Sequence, residues 1–254
     1  MIKNILVTAI LLLVMVGLSG AEIFKIKYIG GKEKRQEARE KSSGRVLWKS
    51  ENSTEKMVQD GKLYLYITEK GEGIYGKDRS FKSWESNAYY LYDGTTVIPD
   101  QAKKVYKDEK GNVIQIIEKF YHPEQKTIIV KVNGQERPFE YQDDVVDQDL
   151  LATAIGNYPY AEKRDFVFHI LTNEPRLYPM NVKYVGEETL TVAGQSVASY
   201  KLQMVPDLGA LNIFGAFVPK TYFWFSKAPP YNFLRYEGLE SGLGTPYIVI
   251  ETVN

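Results

Sequence analysis

The acidic residues Asp143, Asp144, Asp147 and Asp149 form a run that could hold a metal ion. Calcium loops place oxygen ligands at tight alternate positions around a turn glycine. Here the spacing is irregular and the glycine is missing. The run therefore favours a solvated loop whose negative charge suits the start of a helix, and we predict no metal site.

Other combinations of reactive side chains are also incomplete. The two histidines, His122 and His169, lie in or beside strand-like segments, and no G-x-S-x-G motif accompanies them. Gly71–Gly76 matches G-x-G-x-x-G, but no helix with an apolar face follows, as a dinucleotide site requires. We predict no catalytic residue and no cofactor, although two of the 32 acidic residues could still meet across the fold as paired carboxylates.

The composition excludes further classes of protein. The 254 residues include no cysteine, which removes disulfides, thiol catalysis and cysteine-ligated zinc. Basic and acidic residues both number 32, so the basic excess typical of nucleic-acid binding is missing, and we predict no nucleic-acid partner. An apolar content of 44% is that of a folded protein with a sizeable core.

Residues 1–21 have the parts of a secretory signal peptide. Lys3 provides the positive start, Ile5–Val16 is almost wholly apolar, and small residues precede a cleavage site after Ala21. The apolar stretch is shorter than the roughly 20 residues that span a bilayer. We predict an exported or periplasmic protein, soluble after cleavage, in which residues 22–254 form a single β-rich domain without a transmembrane span.

The remaining sequence alternates with the period of two that is typical of strands, as in Lys62–Thr68. Asn133-Gly134 lies between two such segments and predicts a tight hairpin. A helix is predicted at Asp147–Asn157, where Asp147 can cap the first turn. The charged segment Lys32–Lys41 indicates a short solvated helix or a loop without core contacts. Together these patterns predict a mainly β fold, a curved antiparallel sheet or an open half β-barrel with one short helix.

Aromatic and apolar residues indicate where a ligand could bind. The sequence has 19 tyrosines, which recur on strand faces. A tyrosine ring with a wet hydroxyl suits the wall of an amphiphile-binding cavity or a sugar platform, and equally a solvated sheet face. The apolar segment Leu208–Val218 fits either a mobile flap over a cavity or a buried connection. We predict ligand contacts at Leu211, Phe214, Phe217, Tyr64, Tyr66 and Trp224.

The second half of the chain carries a recognisable series of segments: Val182–Gly186, Val192–Gln195, Tyr200–Leu202, Trp224–Ser226, Pro229-Pro230, Arg235 and Tyr247–Val253. Over residues 85–253 the chain resembles the exported bacterial proteins grouped as domain of unknown function 3108. The resemblance implies a curved antiparallel sheet, similar in architecture to the periplasmic lipoprotein carriers whose open barrel binds acyl chains. Leu208–Val218 departs from the usual pattern of that family. Because the family's function is unknown, the resemblance implies fold and compartment only.

These observations predict a non-catalytic envelope protein that binds or carries an amphiphile, such as a lipid or an acyl chain, in the concavity of a curved sheet. One alternative is a scaffold that binds another envelope protein through the sheet edges. A further alternative is a hydrolase of envelope glycans that uses paired carboxylates. A tyrosine-rimmed apolar cavity favours the carrier, and two carboxylates close together in a cleft favour the enzyme.

Overall fold

A computed structural model of the protein describes residues 25–29, 33–207 and 220–253, so the predicted signal peptide and the segment Leu208–Val218 lie outside the described residues. The strands are β1 (Glu33–Glu40), β2 (Val46–Gln59), β3 (Lys62–Tyr75), β4 (Ser80–Tyr92), β5 (Val97–Lys107), β6 (Val113–His122), β7 (Thr127–Val132), β8 (Gln135–Glu140), β9 (Val145–Asp147), β10 (Phe166–Leu171), β11 (Leu177–Val192), β12 (Gln195–Pro206), β13 (Thr221–Ser226), β14 (Phe233–Leu239) and β15 (Tyr247–Val253). The helical segments are α1 (Leu151–Gly156) and two 3₁₀ turns, Pro123–Gln125 and Gln148–Leu150. Within the described ranges, no helix is long and apolar enough to cross a membrane.

The strands form one 15-stranded sheet in the order β8-β7-β6-β5-β4-β3-β2-β1-β15-β14-β13-β12-β11-β10-β9. Neighbouring strands are antiparallel except β9 and β10, which run parallel. The chain therefore starts in the middle of the sheet, runs outward to β8, crosses to the other edge at β9 and returns to β15 beside β1. The sheet stays open and is not closed into a barrel, which confirms the predicted fold class.

The sheet curls until its edge strand β9 packs against β5. Asp147 at the end of β9 shows this curl, because its carboxylate accepts a hydrogen bond from Lys119 of β6. The concave inner face is filled by α1 and by side chains from both halves of the sheet. Ile155 of α1 shares one core cluster with Leu65 of β3 and Phe225 of β13.

Alternation along β4 shows how the inner face is built. Trp84, Ala88 and Tyr90 are separated by four and two positions, so they share one face, and all three are buried. Gly71 of β3 leaves the space that the Trp84 ring needs. A Cβ atom at this position would lie 2.3 Å from that ring and 2.9 Å from the carbonyl oxygen of Lys49. The G-x-G-x-x-G match is thus part of a strand and the following hairpin.

The prediction of a short helix or loop at Lys32–Lys41 is wrong, because Glu33–Glu40 forms β1 between β2 and β15. Ala38, the one apolar residue of the strand, is 0% exposed and packs in a second core cluster that includes Trp48 and Ile248. The charged residues are accommodated by cross-strand partners, such as the Arg35–Glu51 ion pair of 2.7 Å. Pairing on both sides therefore outweighs the missing apolar alternation.

Two local predictions are confirmed. The hairpin at Asn133-Gly134 joins β7 to β8, and its residues have φ of 51° and 81°, as the tight turn requires. Helical turns also begin after Asp147, whose carboxylate accepts a hydrogen bond of 2.9 Å from the backbone N–H of Asp149.

Candidate functional site

Tyr64 and Tyr66, two of the predicted ligand residues, lie on the outer face of β3, opposite the buried Leu65. Tyr66 contacts Tyr89 of β4 with ring centroids 4.7 Å apart, and its hydroxyl donates to Asn87 Oδ1 at 3.0 Å. These rings form a small outward-facing group on the sheet. Their role in ligand binding stays a prediction.

Trp224, the third predicted residue within the described ranges, is also on the outer face and is only 3% exposed. The Lys201 ammonium lies 4.7 Å from its ring centroid and the Arg235 guanidinium 5.6 Å, while its indole N–H donates to Glu188. The structure thus brings Trp224 together with charged neighbours and with Tyr222, whose ring centroid is 6.0 Å away, and not with Tyr64 or Tyr66. The remaining predicted residues, Leu211, Phe214 and Phe217, lie outside the described residues.

A different group of aromatic side chains gathers at one end of the concave face, where α1 ends. This tyrosine cluster consists of Tyr28, Tyr158, Tyr160, Tyr184, Tyr200 and Tyr231. Tyr184 of β11 and Tyr200 of β12 alternate with outward residues and pack against the inner apolar core, as does Tyr231. Tyr158 and Tyr160 come from the loop after α1. The tertiary fold therefore assembles the cluster from five separate segments.

The rings of the tyrosine cluster touch one another. Tyr160 stacks on Tyr200 with centroids 4.2 Å apart and an interplanar angle of 17°. Tyr231 lies 4.9 Å from Tyr160 and 5.1 Å from Tyr28, and Tyr184 lies 6.2 Å from Tyr200. Four of these five rings are half-buried, so the cluster presents aromatic surface to solvent while its base rests on the core.

Tyr160 occupies the centre of the cluster and is 6% exposed. Its hydroxyl is buried without a hydrogen-bond partner among the described residues. Burial raises the pKa of Tyr160, so the hydroxyl stays protonated and able to donate. An unpaired buried hydroxyl of this kind is uncommon in native proteins and is a candidate partner for a ligand oxygen or an ordered water.

The segment of residues 25–29 crosses the same end of the concave face. Ile26 is fully buried, its N–H donates to the carbonyl of Thr95 at 2.6 Å, and its carbonyl accepts from the Tyr92 hydroxyl at 3.2 Å. The backbone of Tyr28 is bonded at both N–H and C=O by the side chain of Asn157, just after α1. This strap fixes Tyr28 at the rim of the tyrosine cluster.

Three ammonium groups lie over rings of the tyrosine cluster. Lys163 is 4.7 Å from the centroid of Tyr184. Lys27 over Tyr28 and Lys227 over Tyr200 each lie at 5.5 Å. The rim of the cluster therefore combines aromatic faces with positive charge, a favourable cation–π arrangement.

A group of polar residues from β6, β9 and the loop after β10 lies in the interior of the protein. The Asp147 carboxylate accepts from Lys119 at 2.9 Å and from the Tyr121 hydroxyl at 2.5 Å, and Lys119 also donates to Asn173 at 2.7 Å. Since Asp144 and Asp147 are buried, the expectation that this acidic run is a solvated loop is wrong for both residues. Asp144 lies beside His169 of β10 and Asp147 beside Lys119 of β6. The linear sequence does not show these partners.

Asp149 continues the interior polar group. Burial alone would raise its pKa, but the ammonium groups of Lys104 and Lys119 outweigh this effect and hold the pKa below its usual value. Lys104 lies 2.7 Å from Glu69 and 3.8 Å from Asp149. The three carboxylates of this group, Asp147, Asp149 and Glu69, share the ammonium groups of Lys104 and Lys119, which is typical of a structural network.

Two surface pockets of the protein are lined by neither Asp147 nor Asp149. The larger one, of about 520 Å³, is a groove on the outer face of β1–β5 lined by Arg35, Glu51, Lys70 and Glu72 among others. Among the described residues, no three His, Asp or Glu side chains converge as metal ligands. His169 Nδ1 lies 2.7 Å from Asp144 Oδ1, and no serine or threonine hydroxyl of the described residues completes that pair as a triad.

The sequence matches the family model described as "Protein of unknown function (DUF3108)" over residues 44–245. This match confirms the resemblance found in the sequence. No curated protein matches the chain.

The chain is similar to several solved structures. A β-barrel-like protein of domain of unknown function DUF1849 from Brucella abortus is similar, with a TM-score of 0.51 and 8% identity over 87% of this chain and 95% of that one. An exported protein with a YmcC-like fold from Bacteroides fragilis has a TM-score of 0.35 and 8% identity, covering 91% of this chain and 97% of its own. A lipoprotein from Parabacteroides distasonis has a TM-score of 0.31 and 10% identity, covering 91% and 96%. At 8% identity and a TM-score of 0.51, the likeness to the Brucella protein concerns the fold alone.

Proposed function

The chain belongs to the DUF3108 family of proteins of unknown function. We propose that it is a non-catalytic envelope protein that binds an amphiphile at the tyrosine cluster. The observation that carries this proposal is the position of the cluster. Its rings lie at one end of the concave face against the apolar core, and four of the six are only half-buried.

Both parts of an amphiphile find a partner in this arrangement. The apolar part covers the exposed faces of Tyr184, Tyr200 and Tyr231, and each Å² of apolar surface removed from water contributes about 25 cal/mol. The polar part remains at the rim, where hydroxyl and ammonium groups are available. Tyrosine is well suited to such a boundary because one end of its side chain is apolar and the other is polar.

The ligand lies along the cluster in this proposal and not deep in the concavity. The inner face of the described residues is occupied by α1 and by packed side chains such as Phe223 and Phe225. A ligand bound at the end of the concave face needs no rearrangement of that core. We therefore place it nearer to the surface than the sequence alone suggests.

The alternatives have less support. A scaffold that adds a partner strand needs a free sheet edge, but the edge strand β8 contains Pro138 and several exposed charged residues, and the other edge, β9, is three residues long and buried. Such features protect sheet edges from pairing. A carboxylate-dependent hydrolase needs an accessible acid pair, whereas Asp147 and Asp149 are enclosed and paired with lysines.

Native mass spectrometry of the mature protein, released from its own envelope without detergent, tests the proposal. We expect a bound amphiphile on the wild-type protein and its loss in the Tyr184→Ser/Tyr200→Ser variant. The matched control is Tyr64→Ser/Tyr66→Ser, which removes two half-buried strand tyrosines from the outer face and should keep the ligand.

Thermal melting of each variant separates loss of binding from loss of folding. Should the first pair unfold, Tyr231→Ser removes a rim ring outside the strands and gives the same comparison. A wild-type protein without any bound amphiphile, or a loss confined to the Tyr64→Ser/Tyr66→Ser variant, would contradict the proposal.

A further inference from the structure

The charge around the tyrosine cluster indicates the chemistry of the ligand's polar end, an inference that rests on the proposed function. We propose that the cluster takes an amphiphile with an anionic headgroup, a phosphate or a carboxylate, attracted by the ammonium groups of Lys27 and Lys163 at its rim.

These two ammonium groups lie over different rings of the cluster. Lys27 belongs to the strap of residues 25–29 and lies 5.5 Å from the Tyr28 centroid. Lys163 lies 4.7 Å from the Tyr184 centroid. The backbone N–H of Lys163 donates to the carbonyl of Pro159 at 3.1 Å, so a turn after α1 fixes the point from which this side chain extends. An anion beside either ring would meet positive charge.

The neighbouring carboxylates are already neutralised. Glu187 binds Lys227 at 2.6 Å, Glu162 binds Arg164 at 2.6 Å and Asp165 binds Lys183 at 3.2 Å. Within the described part of the chain, no carboxylate lies at ion-pairing distance from Lys27 or Lys163. Together with Lys27 and Lys163, these three pairs leave the rim of the cluster with more basic than acidic side chains.

The outward tyrosines lack this feature. Over the rings of Tyr64, Tyr66 and Tyr89, no lysine or arginine of the described residues is placed for a cation–π contact. The contrast with the tyrosine cluster concerns these three rings, since Lys201 and Arg235 lie over Trp224 elsewhere on the outer face. Because the ammonium groups sit on the edges of an aromatic surface, an anion bound to them leaves its attached apolar part against the rings.

Calorimetric titration with short-chain lipids tests this inference. The probes are dihexanoyl phosphatidylglycerol, which is anionic, and dihexanoyl phosphatidylcholine, which has the same chains and no net charge. Glycerol 3-phosphate serves as the headgroup without chains. The variant is Lys27→Gln/Lys163→Gln. Its control is Lys70→Gln, which removes an exposed ammonium group from the outer groove.

We expect the wild-type protein and Lys70→Gln to bind the anionic lipid roughly tenfold more tightly than the uncharged one at low salt. The Lys27→Gln/Lys163→Gln variant should lose that preference and keep its affinity for phosphatidylcholine. Added salt should weaken only the binding of the anionic lipid.

The outcomes separate the two proposals. Equal affinities for both lipids, abolished together by Tyr184→Ser/Tyr200→Ser, would overturn the anionic headgroup and leave amphiphile binding intact. No binding of either lipid would overturn both proposals. Glycerol 3-phosphate binding as tightly as the lipid would show that the chains contribute nothing and would also overturn both.

Discussion

Lys119 and Asp147 form an ion pair of 2.9 Å in the interior of the protein, where their side chains are 2% and 0% exposed. The pair connects β6 to the edge strand β9 and thereby holds the curl of the sheet. Both groups have further partners, because the Tyr121 hydroxyl donates to Asp147 and Lys119 donates to Asn173. The curl thus depends on compensated charge as well as on apolar packing.

Lys119→Met should lower the free energy of unfolding by about 3–5 kcal/mol, because it leaves the Asp147 carboxylate buried without its counter-ion. Urea unfolding measures this loss. Adding Asp147→Asn should recover part of it, since the buried charge is then absent. Lys131→Met serves as control, because it breaks the exposed pair with Glu136 and should cost far less stability. A Lys119→Met variant as stable as that control would contradict the assignment.

Glu240, in the loop between β14 and β15, gives a prediction for pH dependence. Its carboxylate accepts from Trp48 Nε1 at 2.8 Å and from the N–H of Gly76 at 2.7 Å, and burial raises its pKa above the ordinary value of 4.5. The folded protein therefore holds this proton more tightly than the unfolded chain. The stability that Glu240 contributes is largest below pH 4.5 and falls as the pH rises through the folded value.

Glu240→Gln removes this titration and keeps one oxygen acceptor. We expect the stability of the variant, relative to wild type, to be higher at pH 7 than at pH 4, as measured by urea unfolding across that range. Glu240→Ala leaves both donors unpaired and should be less stable than Glu240→Gln by about 1–3 kcal/mol at either pH. A relative stability of the glutamine variant that falls with rising pH would contradict the raised pKa.

Gly71→Ala should destabilise the fold by about 1–3 kcal/mol, because the added methyl group would enter the Trp84 ring and approach the Lys49 carbonyl. A double-mutant cycle with Trp84→Phe checks the cause. If the clash with the indole is responsible, Gly71→Ala costs less in the Trp84→Phe background. Strictly additive losses would assign the effect to the backbone alone.

Asn157→Ala should loosen the strap of residues 25–29. Asn157 Oδ1 accepts a hydrogen bond from the backbone N–H of Tyr28 at 2.8 Å, and Asn157 Nδ2 donates to the Tyr28 carbonyl at 2.9 Å. Hydrogen exchange should show faster exchange of the Tyr28 amide and little change in the sheet. Asn87→Ala is the matched control, because its side chain accepts from Tyr66 on the outer face. Unchanged exchange of the strap in Asn157→Ala would show that other contacts hold it.

Local structure was the part of the fold that the sequence could predict. Asn133-Gly134 adopts two positive φ angles for steric reasons that involve only neighbouring residues, and Asp147 caps a helical turn through a bond to Asp149 two positions later. The strand pattern also follows from local alternation. In each case the determining contacts lie within a few residues.

The remainder depends on contacts between distant residues. Nothing near Asp147 in the sequence identifies Lys119, 28 positions away, as its partner. The inner tyrosine cluster joins Tyr28 to Tyr231, and only the abundance of tyrosine signals it in advance. The prediction of ligand contacts at Tyr64 and Tyr66 rests on local alternation. Alternation alone does not tell which face of the curled sheet is concave.

Photolabelling shows most directly where the ligand binds. The probe is a fatty acid with a diazirine at its chain end, applied to the mature protein and displaced by unlabelled fatty acid as a specificity control. Peptide mapping should place the displaceable label on peptides that carry Tyr160, Tyr200 and Tyr231, whose rings meet at 4.2 and 4.9 Å. A displaceable label confined to the peptides with Tyr64 and Tyr66 would contradict the assignment of the tyrosine cluster as the binding site.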